Sequence, residues 1–227
     1  MSPITLQGFF HLYLDVNFFI IAILLTRRFR KSGNALLKYL ALSFWFVAIE
    51  YITLGLPLLL IPQNFVLLRI ISGPITMFFF LIAIGFMGRV FYYLYPKFPW
   101  RIFLVSYTLF SAFVLWSATF PFKPAFINEM GIIDYNLPKF VFIIIGLLLM
   151  TAYVPAGVVF IYHAFKAGNW VKGFIFGLGL IVGVLFQPLT YQIQVFSTWV
   201  FFSLLGSLGV TMITAGILLH LSPQKIP

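Results

Sequence analysis

Seven apolar stretches, at residues 4–26, 35–60, 65–94, 102–121, 139–162, 173–194 and 197–221, are each long enough to cross a bilayer as a helix. Backbone hydrogen bonds close within such segments, which is what the hydrocarbon demands. The alternating ten-residue pattern of a membrane barrel is absent. Polar links between the stretches are short, so residues 1–227 read as a single transmembrane domain. The chain is 63% hydrophobic and 8% charged, against about 25% charged in soluble domains, and no soluble fold hides that much apolar surface. The expected fold is an all-α membrane protein, a seven-transmembrane-helix bundle. A cleaved signal peptide carries basic residues ahead of its apolar core. Here the first basic residue is Arg27, after it, so the first helix is expected to stay.

The net charge of +10 is unevenly placed. Arg27, Arg28, Arg30, Lys31 and Lys38 flank the first loop, Arg89, Lys97 and Arg101 the third, and Lys166 and Lys172 the fifth, with Lys225 in the tail. The opposite loops hold Lys123 and Lys139 beside Glu129 and Asp134, with Arg69 further in. The positive-inside rule then puts the N-terminus outside and the C-terminus in the cytoplasm. This layout implies a multi-pass protein of a cell membrane, prokaryotic inner or plasma membrane by preference. Charges spread over three loops argue against a nucleic-acid partner. With no cysteine, disulfides, iron–sulfur clusters and thiolate metal sites are excluded.

Polar side chains inside apolar windows turn toward the bundle rather than lipid. Gln7, His11 and Asp15 are spaced four apart and stack on one face of the first helix. Ser43, Glu50 and Thr53 share a face of the second, near Pro57; Arg69, Ser72, Gly73 and Thr76 do so in the third. Gln187, Thr190, Tyr191 and Gln194 follow Gly183 in the sixth, around Pro188. At 1.5 Å per residue, Asp15 lies roughly 16 Å below its helix start, Glu50 roughly 15 Å from its outer end and Arg69 about 6 Å in. The polar groups therefore gather in the outer half, and the inner half is close to fully apolar. The expectation is an outward-facing polar pocket holding His11, Asp15, Glu50, Thr53, Arg69, Gln187, Tyr191 and Gln194, with Arg69 paired to Glu50 or Asp15. Blander roles stay open: a protonated, hydrogen-bonded Glu50, an Arg69 snorkelling to headgroups, and a His11 serving the bundle.

Gly173, Gly177, Gly179 and Gly183, then Ser203, Gly206, Ser207 and Thr214, carry small-residue spacing that marks close helix packing, with a homo-oligomer as the lesser alternative. The last helix has no lysine for a retinal Schiff base, and His11 is the one histidine well inside a window, against the two that membrane haem needs. No HExxH, GxSxG, P-loop or Rossmann glycine pattern occurs. No cofactor or metal is expected, and nothing argues for an enzyme.

RRFRKSG after the first helix, then ALLKYLALSFWFVAIEY and LLRIISGPITMFFFLIAIGF, with Trp45, Glu50 and Pro74 in place, resembles the N-terminal seven-helix sensor region of bacterial membrane histidine kinases. No kinase follows Leu221 here, so the resemblance implies output through a partner protein, or a membrane part of something longer. The expected function is a sensor or receptor-like module that binds a small or lipophilic ligand and signals to a membrane or cytoplasmic partner. Two alternatives stand beside it: an accessory subunit of a larger membrane complex, and a small proton-coupled transporter using Asp15, Glu50 and His11.

Overall fold

The computed structural model describes residues 2–97, 99–166, 170–186 and 195–221. Helix α1 (Pro3–Ser32) starts where Ser2 accepts a hydrogen bond from the Thr5 amide and Pro3 takes the first turn. It runs past its apolar window to Ser32, so Arg30 and Lys31 meet the partial negative charge of the helix end. Gly33 stops it with φ 65°, donating to the Phe29 carbonyl at 2.8 Å, a conformation that favours glycine. Asn34 at once caps α2 (Ala35–Leu60) by accepting from the Leu36 amide. Gly-Asn is thus the whole turn between the first two spans.

The third span, α3 (Phe65–Leu94), contains a π-turn at Ile71–Ile75 around Pro74. Proline has no N–H to give the preceding turn, and two hydroxyls add hydrogen bonds to nearby carbonyls. Ser72 Oγ donates to the Leu68 carbonyl at 2.6 Å and Thr76 Oγ1 to that of Ile71 at 2.8 Å. Then come α4 (Trp100–Thr119), a two-residue hairpin pairing β1 (Phe126–Ile127) antiparallel with β2 (Ile133–Asp134), α5 (Lys139–Lys166), α6 (Trp170–Phe186) and α7 (Phe196–Leu221). Six of these seven described helices are long and apolar enough to cross a membrane; α6 contributes a shorter apolar stretch, Val171–Gly183. Beyond Phe186 the sixth window lies outside the described residues. The hairpin occupies a linker that the apolar windows did not distinguish.

Six helices close into a ring in the order α1, α2, α3, α5, α6, α7. Ser43 on α2 reaches the Ala83 carbonyl of α3 and the Tyr153 hydroxyl of α5. A Cβ on Gly157 would lie 2.7 Å from the Gly177 carbonyl of α6, and one on Gly179 2.7 Å from that of Gly209 on α7. The small residues are what allow these backbones to approach so closely. Tyr13 and Asn17 of α1 meet Thr211 and Thr214 of α7 and complete the circle. Helix α4 stands outside, against α3 and α5: Tyr107 donates to the Leu81 carbonyl, and α4 is buried only at Val114, Ser117 and Ala118. Its Ile102, Val105, Leu109 and Trp116 are exposed, as suits lipid contact.

Candidate functional site

One end of the ring, the hairpin end, carries the start of α1, the hairpin and the starts of α5 and α7. The opposite end carries Arg27, Arg28, Arg30, Lys31, Lys38, Arg89, Lys97, Arg101, Lys166 and Lys172. The hairpin is tied across its end by α1. Gln7 Nε2 donates to the Ile133 carbonyl at 3.1 Å, and the Ile133 amide donates to Gln7 Oε1 at 2.9 Å. A side-chain amide thereby pairs with β2 as a neighbouring strand would. Asn128 Oδ1 accepts from the Met130 and Ile132 amides and shapes the turn. The Ala125 amide ties the incoming strand to the Phe65 carbonyl at the start of α3.

Between hairpin and helix ends lies a cavity of about 660 Å³, within the range of small-molecule sites. Gln7, His11, Asn128, Glu129, Trp199 and Ser203 are among its walls. Deeper, at the centre of the ring, is a chamber of about 90 Å³ to which all six ring helices contribute, among them Phe18, Glu50, Met77, Tyr153, Leu180 and Ile213. Phe142 lines both spaces. Beside it the His11 ring, on the cavity, faces the Tyr51 ring, on the chamber, at 5.9 Å between centroids. Tyr51 in turn stacks on Phe18 at 5.4 Å. Two hollows thus lie in line, with aromatic rings where they meet.

Glu50 is the one ionisable carboxyl group on the described wall of the chamber, 6% exposed, with no hydrogen-bond partner for Oε2 among the described residues. On the side toward the basic end the chamber is floored by Tyr153. Ser43 Oγ gives its proton to the Ala83 carbonyl at 2.8 Å, so the Tyr153 hydroxyl is the donor in its 3.0 Å contact with Ser43.

The other residues singled out in the sequence are separated by the fold. His11 and Gln7 face the outer cavity, Gln7 as a structural clamp. Asp15 is one turn inward of His11, 5% exposed, with no partner for Oδ1 among the described residues, and stands on the wall of neither hollow. Thr53 Oγ1 contacts the Glu50 carbonyl at 2.7 Å and Thr76 Oγ1 at 2.8 Å, while Thr76 also reaches Ile71. Two hydroxyl protons serve three contacts, so Thr53 is engaged in joining α2 to α3. Gln187, Tyr191 and Gln194 lie outside the described residues.

Arg69 departs most from expectation. It is fully buried rather than snorkelling, and no ion pair joins it to Glu50 or Asp15 among the described residues. Its guanidinium is packed over Gly73, on the side where that glycine meets the Ala118 carbonyl of α4, and lies 5.8 Å from the Phe122 ring centre. The π-turn explains the error in facing. One extra residue in a turn rotates the helix before it by about 100° relative to the helix after it. Arg69 therefore faces α4 while Thr76, seven residues on, faces α2. Along the axis, Arg69 stands about 10 Å outward of Thr76, and Glu50 about 4.5 Å inward of Thr53.

Sequence reading missed Phe142, Tyr153 and the hairpin. Tyr153 carried a signal: a hydroxyl in mid-window, where a purely lipid-facing role is unfavourable. Phe142 carried none, because nothing distinguishes it from the other 29 phenylalanines among the 30 in the chain. Compared with protein-family models, with curated proteins and with solved structures, the chain finds no match.

Proposed function

We propose that the protein is a seven-helix sensor or receptor-like membrane module that takes a small or lipophilic molecule into the cavity beneath the hairpin. The hairpin end faces the extracytoplasmic side in this reading, because the opposite end holds the loop-flanking arginines and lysines. The observation that carries it is the pair of hollows in line, a wide mixed-polarity cavity leading to a central chamber with one carboxyl group. Such a stack suits a molecule with a polar body and an apolar end. The chamber touches every ring helix, so an occupant biases the packing of all six at once, which is the element a sensor needs. Output to a partner through the basic end is drawn from the histidine-kinase-like layout of residues 27–94.

The chain has no cysteine, so Ser32→Cys with Lys97→Cys gives a clean spin-label pair at the basic end. In nanodiscs, compounds that raise the unfolding midpoint are expected to change the distance between these labels. Binding with no change in distance removes the sensing role. Net flux of the same compounds into sealed vesicles replaces it with a carrier.

A further inference from the structure

We propose that the central chamber is a binding site for a small organic cation, an ammonium group on a compact apolar body, with Glu50 as its counter-charge. The proposal deepens the ligand-binding reading and rests on it only for access through the hairpin end; the chamber is defined without the outer cavity. Its described wall is largely aromatic and carries one carboxyl group. Phe18, Phe44, Tyr51, Phe80, Phe142 and Tyr153 bring six aromatic rings to one space of about 90 Å³. Ring faces attract a cation electrostatically, most strongly once it has left water. Glu50 supplies the compensating negative charge at the wall, with no hydrogen-bond partner for Oε2 among the described residues. No lysine, arginine or histidine is among the described lining residues. A carboxylate at this depth is costly without a positive partner, and a cationic occupant supplies what the described lining lacks.

A bare metal ion fits poorly. Hard cations take a shell of several oxygens, and beside Glu50 the described wall offers the hydroxyls of Tyr51 and Tyr153, the latter engaged by Ser43. No cluster of three or more metal-binding side chains occurs among the described residues. A neutral apolar guest would satisfy the rings and leave the carboxyl group unmatched. An alkylammonium meets both: three N–H donors or a diffuse charge for Glu50, and methylenes for Met77, Leu180 and Ile213.

The test uses the full chain in nanodiscs of zwitterionic lipid, with n-butylammonium chloride as probe and n-butanol and sodium chloride as matched controls. The expected result is a rise in unfolding midpoint with n-butylammonium alone. Glu50→Gln, nearly isosteric, abolishes the rise, and Val47→Phe, which fills the chamber and keeps the carboxyl group, abolishes it too. Gln7→Leu, which loosens the hairpin over the outer cavity, leaves it in place, so failure of the outer site is read separately from failure of this one. If Glu50→Gln does not fold, saturable displacement of n-butylammonium line broadening by tetramethylammonium in wild type, lost in Val47→Phe, decides the matter. Equal stabilisation by n-butanol, an undiminished rise in Glu50→Gln or Val47→Phe, or no rise in wild type overturns the proposal.

Discussion

His11 and Tyr51 face one another across the boundary of two hollows, ring centroids 5.9 Å apart, on helices that run antiparallel. One ring borders the cavity beneath the hairpin and the other the chamber that holds Glu50. Phe142, from α5, lines both. These three rings stand where the two spaces meet, and rotamer changes of side chains are far easier than displacement of a helix.

Phe142→Ala should therefore open the chamber. A cysteine placed at Leu180, on its wall, reports this through its labelling rate with a small neutral thiol reagent. Labelling rises about tenfold for each 1.4 kcal/mol by which the opening becomes easier. Equal rates with and without the Phe142 ring would mean that the divide lies elsewhere.

The Gln7 clamp makes a separate statement. Gln7→Leu removes both contacts to Ile133, each worth about 1 kcal/mol net. Amide exchange at Ile133 should quicken on the order of 30-fold as the hairpin lifts locally. Gln7→Glu keeps an acceptor for the Ile133 N–H and loses the donor, so it should fall between wild type and Gln7→Leu.

Two glycines of the same helix should respond oppositely to alanine. On α5, Gly146 has nothing within 4 Å of an added Cβ, while that of Gly157 would stand 2.7 Å from the Gly177 carbonyl. Gly146→Ala gains about 0.5–1 kcal/mol from a stiffer unfolded chain. Gly157→Ala forces α5 and α6 apart and loses about 1–3 kcal/mol. Unfolding midpoints in a single detergent check the contrast, and a similar response from both would refute the close α5–α6 contact.

The threonine contact between α2 and α3 should be modest. A double-mutant cycle with Thr53→Val and Thr76→Val, whose hydroxyls lie 2.8 Å apart, is expected to give a coupling of about 0.6 kcal/mol. Each hydroxyl keeps a backbone acceptor when its partner is lost, which limits the value. Coupling above about 2 kcal/mol would mean that the pair carries more than packing.

What the amino-acid order determined alone is what water, hydrocarbon and the local backbone decide. Partition between the two solvents marks the apolar spans, whatever their neighbours. Gly33 and Asn34 end one helix and start the next through their own conformational and capping preferences. The gathering of loop-flanking cations at one end is equally a property of the chain as written. Facing is different, because a helix shows its neighbours a surface whose phase depends on every turn before it. A single π-turn at Ile71–Ile75 sends Arg69 to α4 and Thr76 to α2, though an unbroken helix would stack them. Glu50 has a place only because six helices close into a ring and leave α4 outside, and that closure rests on backbone approaches such as Gly157 to Gly177 and Gly179 to Gly209 between distant segments. Contacts of that kind belong to the packed bundle, and no reading of one helix at a time contains them.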